Sequence, residues 1–360
     1  MAFCPIPQPR ILEIEPYVPG ESKSSAARVI RLAANENPFG TSSIVQEAFV
    51  KLSQGLHHYP DGGSQNLRRA LAAFHAIDPD RIVCGTGSDE IITMLCKAFT
   101  GNGDEVLYSE FGFLMYPLAA LAAGATPVKA PESNRATDLD ALLDAVTDKT
   151  KIIFLANPNN PTGCLITRSE IISFREKLRE DVLLVIDSAY AEFVTDETYT
   201  DGKDLVSRFD NVIMLRTFSK AYGLSGLRVG WSYSSTYIAD ILNRVRGVFN
   251  ISVPAQVCAE VALSDQDFIK RTVENNTFQR VRVSAELKTS GVHVYPSSGN
   301  FVLFSLGSVE RADACLSYLK ERGILLRGMK AYNLPDCIRM TIGTPEDMDT
   351  VLQDLRSFLL

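Results

Sequence analysis

Short apolar runs recur through the first 250 residues, each followed by a polar or helical stretch. RIVCG (81–85), EVLYS (105–109), KIIFLAN (151–157), VLLVID (182–187) and VIMLRTF (212–218) are nearly unbroken in apolar residues. Such runs fit strands covered on both faces rather than strands with one wet face. Between them, SDEIITMLCKAF (88–99) and FLMYPLAALAAG (113–124) carry helical spacing. Strands alternating with helices predict right-handed crossovers and a mostly parallel α/β sheet sandwiched by helices.

From about residue 250 the texture changes. VHVYPS, GNFVLFSL, ILLRG and CIRMTIGT predict strands of a smaller sheet, and ERADACLSYLKERG and PEDMDTVLQDLRSFL predict helices that cover it. The start of the chain is rich in Pro, Gly and Ser and reads as an extended arm. The expected division is an arm over 1–40 that joins the small domain, a large domain over 41–250 and a small α+β domain over 251–360. A chain of 360 residues, at ~150 residues per domain, fits two such units.

Composition narrows the function classes. With 46% apolar and 22% charged residues the chain is neither disordered nor low in complexity. A net charge of −7 argues against general nucleic-acid binding. No run of apolar residues is long enough for a membrane span. The opening MAFCPIPQPR lacks the basic and apolar regions of a signal peptide, so a cytoplasmic address is expected. The seven cysteines are scattered without a CxxC, and the four histidines lack ligand spacing. No structural metal or disulfide scaffold is expected, and the cysteines read as small buried apolar residues.

In open α/β sheets ligands bind beyond the carboxyl ends of the strands. Four apolar runs end in polar or glycine-bearing segments: GTGSDE (85–90), NPNNPTG (157–163), DSAY (187–190) and TFSKAYGLSGLR (217–228). In the first, the glycines permit a tight turn and Ser88 opens a helix whose free N–H groups suit a phosphate. Glu90 stands where a dinucleotide fingerprint would have its third glycine, and no GK[ST] follows. A strand-end Asp such as Asp187 is ordinarily a turn residue; beside a cationic ring nitrogen it would instead hold the proton on that ring. A lone lysine is ordinarily a solvated charge, but Lys220 at the mouth of a buried strand would lose its proton easily and form a Schiff base with an aldehyde. Asn160, held extended before Pro161, offers an amide to a ring oxygen. Arg228 would add charge to a phosphate site.

Together these motifs resemble the fold-type I aminotransferases that use pyridoxal 5'-phosphate, over nearly the whole chain. TFSKAYGLSGLRVGW is similar to the family's lysine segment, with NPNNPTG and VIDSAY upstream in family order. PYVPGES (16–22), LAANENPFG (32–40), HYPDGGSQNLRRALA (58–72), ILLRGM (324–329) and CIRMTIGT (337–344) resemble the subfamily that acts on histidinol phosphate. The resemblance implies that Lys220 bonds the cofactor and moves the substrate proton. Asp187 pairs with the ring nitrogen, and Asn160 and Tyr190 hold the ring oxygen. Ser88, Asp89, Thr217, Ser219 and Arg228 surround the phosphate, and Phe113 stacks on the ring. Tyr59 would reach the cofactor phosphate of a second copy, which implies a homodimer with shared active sites. Tyr17, Arg327 and Arg339 would bind the substrate's phosphate or carboxylate. The implied reaction is amino transfer from L-histidinol phosphate to 2-oxoglutarate. A broad aromatic aminotransferase, an amino-acid-phosphate decarboxylase of the same fold and a non-enzymatic cofactor-binding regulator are the alternatives. The chain departs from the family pattern at Phe111, Gly62 and Ser188.

Overall fold

The computed structural model describes residues 5–16 and 28–360. Among these the strands are β1 (Ile30–Arg31), β2 (Ile82–Gly85), β3 (Glu105–Ser109), β4 (Thr126–Ala130), β5 (Thr150–Ala156), β6 (Leu183–Asp187), β7 (Val212–Thr217), β8 (Gly230–Tyr233), β9 (His293–Val294), β10 (Phe301–Ser305), β11 (Ile324–Leu325), β12 (Arg327–Met329) and β13 (Leu334–Thr341).

Seven strands form one sheet in the order β2-β8-β7-β6-β5-β3-β4. The neighbouring pairs from β7 through β4 are parallel, while β8 runs antiparallel to both β2 and β7. Each apolar run divides its side chains between two cores, because successive residues point to opposite faces. Ile152, Phe154, Val185, Ile213 and Leu215 pack under the helices Ser88–Phe99, Met115–Ala122 and Thr236–Val245. Ile153, Leu155, Leu184, Ile186 and Met214 pack into the opposite cluster with Ile171, Phe174 and Leu205. Both faces are therefore apolar, as the unbroken runs require. Two large-sheet strands have no such run: β4 reads TPVKA, and β8 reads GWSY.

The smaller sheet is antiparallel, in the order β12-β13-β10-β9. The segment ILLRG splits at Leu326: β11 pairs in parallel with β1, and β12 joins the sheet. Through β1 the segment before residue 40 lies against the small unit, with Ile30 and Leu32 in its core beside Val302, Phe304, Ile338 and Met340.

The packing departs from the expected boundary at 250. Ile251, Ala255, Cys258, Ala259, Phe268 and Ile269 are buried in the large-sheet core. The helix Val253–Ala262 lies against Ser43–Lys51 and Gln65–His75. The 24-residue helix Gln266–Thr289 begins in that core and ends, at Val283 and Leu287, in the small one. The change of core thus falls inside this helix, whose buried residues switch partners along its length. Cys84, Cys96, Cys258, Cys315 and Cys337 are buried. No helix among the described residues is long and apolar enough to cross a membrane.

Candidate active site

The carboxyl ends of β5, β6 and β7 open on one edge of the sheet, because the three are parallel neighbours. A cavity of about 650 Å³ lies there, between the large sheet and the small unit. Ser88, Asp89, Phe113, Asn160, Asp187, Tyr190, Thr217, Ser219, Lys220, Arg228, Arg327 and Arg339 all line it. The four strand-end motifs thus converge, although they are spread over the chain from Ser88 to Arg228.

Asp187 is the last residue of β6 and is buried. Its Oδ2 accepts a hydrogen bond from the Tyr116 hydroxyl at 2.8 Å. Its Oδ1 is buried without a hydrogen-bond partner. Burial pushes the carboxyl up to about 6, against the Tyr116 bond and with help from the negative charge of Asp89. A buried carboxylate with an unused oxygen is costly unless a cation meets it. The protonated ring nitrogen of a pyridine is such a cation, so this donor set fits pyridoxal phosphate.

Lys220 is half-buried and donates from Nζ to the Ala34 carbonyl at 3.2 Å. Burial, and next the positive charge of Arg339, lowers its ammonium to about 8. About a tenth of the amine is then neutral at pH 7, far more than for a solvated lysine, and a nucleophile or base needs that neutral form. Tyr190 is buried, and its oxygen accepts from Asn35 Nδ2 at 2.9 Å. Burial drives the phenol up to about 12, so it stays protonated. Phe113 forms one wall and meets Tyr116 edge-on, with ring centroids 5.8 Å apart.

An anion cradle adjoins these groups. The helix Ser88–Phe99 begins after Gly87, whose φ is +78°. Its first-turn N–H groups and dipole attract negative charge. A Cβ on Gly87 would sit 2.4 Å from Arg228 Nη2, and one on Gly230 would sit 2.5 Å from the Ser88 nitrogen. The two glycines let Arg228 and β8 close on the helix start. Arg228 donates to Ser219 Oγ at 3.1 Å and to Asp89 Oδ2 at 2.9 Å. The Thr217 hydroxyl donates to Ser219 Oγ at 3.0 Å.

The small unit brings two guanidinium groups. Arg327 and Arg339 are directly opposite one another on β12 and β13. Arg339 is buried, donates to Asn160 Oδ1 and to the Ala33 carbonyl, and keeps a buried Nε without a partner. A guanidinium with an unused donor suits a carboxylate or a phosphate.

Two expected residues lie elsewhere. Tyr59 is outside this cavity, 81% exposed and stacked on Phe249 at 4.6 Å between centroids. Tyr17 lies outside the described residues. The three departures from the family pattern have local explanations. A Cβ at Gly62 would meet the Val248 carbonyl at 2.7 Å. Phe111 packs beside Leu303, Met329 and Tyr332. Ser188 turns its hydroxyl to the Asp201 carbonyl at 2.9 Å.

Sequence reasoning passed over Tyr116, Asn35 and Tyr332, which also line the cavity. Tyr116 is three residues beyond Phe113, in the first turn of the helix Met115–Ala122. Asn35 and Tyr332 carry no local signal.

The sequence model of the family described as "Aminotransferase class I and II" matches residues 27–355. The chain is 48% identical over 357 residues to a histidinol-phosphate aminotransferase of Rhodospirillum centenum, covering 99% of each chain. It is 47% identical to the one from Rhodospirillum rubrum, covering 99% of this chain and 98% of the other. Its fold is similar to the crystal structure of histidinol-phosphate aminotransferase from Sinorhizobium meliloti in complex with pyridoxal-5'-phosphate. There the TM-score is 0.90 at 29% identity, with 99% of this chain and 98% of the other covered.

Proposed function

Because the chain belongs to the class I and II aminotransferase family, we propose that it transfers the amino group of L-histidinol phosphate to 2-oxoglutarate with pyridoxal 5'-phosphate as cofactor. The products are imidazole-acetol phosphate and L-glutamate. The observation that carries the cofactor assignment is the buried, unpartnered Asp187 Oδ1 in the same cavity as the Lys220 amine. The substrate assignment rests on the full-length relatives that carry that enzyme's name.

When bound, pyridoxal phosphate supplies an aldehyde to receive amino groups and a ring that accepts the charge left when the substrate loses a proton. The protein's side chains do the rest. Asp187 would hold the proton on the ring nitrogen, and Tyr190 and Asn160 would hydrogen-bond the ring oxygen. The helix start at Ser88 and Asp89, with Ser219, Arg228 and nearby Thr217, holds the cofactor phosphate. Phe113 covers one ring face. Lys220 would hold the cofactor, and its free amine would take the proton from the substrate Cα and deliver it to the adjoining carbon. Arg327 and Arg339 bind the phosphate of one substrate and the carboxylate of the other in turn, since one guanidinium fork serves both. The same fork suits a broad aromatic aminotransferase, so phenylalanine is the proper comparison donor.

The protein works as a cytoplasmic homodimer in this reading. Support for the second copy comes from Tyr59, which sits exposed with Phe49, Val50, Leu56 and Val248 on the surface. Large apolar side chains left exposed suit a contact with a second copy, through which Tyr59 would reach the partner's cofactor phosphate.

Steady-state glutamate formation from 2-oxoglutarate tests the substrate. The kcat/KM for L-histidinol phosphate should exceed that for L-phenylalanine by on the order of 100-fold or more, the discrimination a site with committed polar groups achieves. Equal values would replace this substrate with the broad aromatic class.

A further inference from the structure

We propose that Asn35 is a positioning residue that aims the Tyr190 hydroxyl proton into the cavity. The inference deepens the reading of the site given above and rests on it. Asn35 is almost fully buried and adopts a left-handed φ of +55°, which asparagine tolerates better than most residues. Its backbone N–H donates to Thr341 Oγ1 at 2.9 Å. Thr341 Oγ1 in turn lies 3.1 Å from Asn35 Oδ1. The threonine accepts that N–H and gives its single proton to the carboxamide oxygen. That fixes the orientation of the amide, with its oxygen toward Thr341 and its NH2 toward the Tyr190 oxygen, 2.9 Å away. The Asn300 side chain holds the Asn35 carbonyl at 3.1 Å and keeps the segment in place.

The consequence falls on Tyr190. Its oxygen is an acceptor toward Asn35, so its one proton is not used there. The ring is held edge-on against Phe301, with centroids 5.3 Å apart. The proton is therefore free to be given to an acceptor inside the cavity. The ring oxygen of the cofactor, when ionised, is acceptor-only and needs such a donor. With the amide reversed, Tyr190 would give its proton to Asn35 and turn lone pairs toward that oxygen. Asn35 lies beyond β1 on the segment that packs on the small unit, whereas Tyr190 lies beyond β6 in the large one. The bond thus ties the seating of that segment to the proton at the cofactor oxygen.

The test uses Asn35→Asp, which keeps the side-chain shape but offers only acceptors, together with Asn35→Ala. The Raman Fermi doublet of Tyr190, isolated by subtracting the Tyr190→Phe spectrum, distinguishes an accepting phenol from a donating one. In cofactor-free protein the wild type should show an accepting phenol. Asn35→Ala should lose that signature and Asn35→Asp should convert it to a donor's. In protein loaded with pyridoxal phosphate, the pH midpoint of the visible absorption band should rise by about one unit in Asn35→Asp, the scale of one lost hydrogen bond, and by less in Asn35→Ala, where the phenol loses its aim but no acceptor competes for its proton. A merely structural role would lower the melting temperature and leave doublet and midpoint alone. An unchanged doublet, or a wild-type phenol that donates toward Asn35, overturns the proposal. Should the Asn35 variants fail to fold, Thr341→Val frees the amide to flip. It should raise the midpoint by less than one unit, and an unmoved midpoint again overturns the proposal. A wild type with no visible band would defeat the cofactor reading instead, while the doublet would still decide the hydrogen bond.

Discussion

Replacing Tyr116 by phenylalanine removes one hydroxyl from the environment of Asp187 and little else. The ring stacks on Phe154 with centroids 4.5 Å apart and planes within 3°, contacts that phenylalanine keeps. The lost bond is the 2.8 Å donation to Asp187 Oδ2 between two buried groups. A hydrogen bond to a charged group contributes about 1.5–3 kcal/mol, which corresponds to roughly 1–2 pKa units. Asp187 begins at about 6, so in the variant it should titrate between about 7 and 8. Only the ionised carboxylate pairs with the ring nitrogen, so cofactor binding weakens below that pKa. Pyridoxal phosphate titrates in the same range, and the ratio of variant to wild-type dissociation constants cancels its contribution. That ratio should be near one at pH 9, about 2–10 at pH 7 and about 10–100 well below pH 6. Absorbance titration across this range measures it. The stability of the cofactor-free protein obeys the same linkage. A folded-state pKa raised from 3.8 to about 6 contributes stability at low pH that is lost as pH climbs through that window. In Tyr116→Phe the loss extends to higher pH. A dissociation-constant ratio that is flat from pH 5.5 to 9 would refute the reasoning, because the bond would then have no effect on the ionisation of Asp187.

The same geometry yields three further outcomes. The Lys220 ammonium is lowered to about 8; the rate of covalent capture of pyridoxal phosphate should rise about tenfold per pH unit below that value and level off above it, and borohydride reduction should fix the mass on the Lys220 peptide. Gly87→Ala places a Cβ 2.4 Å from Arg228 Nη2 at a φ of +78°; with strain of about 1–3 kcal/mol, cofactor affinity should fall by about tenfold or more, as fluorescence titration would read. Arg339→Ala should raise KM for L-histidinol phosphate and for 2-oxoglutarate together by on the order of 30-fold, the effect of about 2 kcal/mol lost from a charged bond. An unchanged KM for either substrate would remove Arg339 from that half of the reaction.

The legible parts of the chain are those where local pattern and tertiary role agree. VLLVID and VIMLRTF are apolar at nearly every position because both faces of β6 and β7 are covered. The segment after each strand is polar because it faces the cavity. The strand β8 escaped notice because GWSY mixes glycine and serine with aromatics. Gly230 is small for a reason visible only in three dimensions, the 2.5 Å approach to Ser88. The core that the residues just past 250 join is not legible locally, because Ala255, Cys258 and Ala259 would suit either core and only packing decides between them. The role of Asn35 could not be read locally. Its partners Tyr190, Asn300 and Thr341 lie 155, 265 and 306 residues away. Tyr116 was closer to hand, three residues beyond Phe113, whose ring it meets edge-on.

The most direct test of the central claim is the half-reaction. The protein, loaded with one equivalent of pyridoxal phosphate and free of keto acid, is mixed with L-histidinol phosphate while the visible spectrum is monitored. The account predicts that the visible band bleaches within the mixing experiment, that imidazole-acetol phosphate forms in an amount equal to the protein, and that 2-oxoglutarate restores the band as glutamate appears. Release of carbon dioxide, or a band indifferent to L-histidinol phosphate and bleached only by phenylalanine, would contradict the assignment.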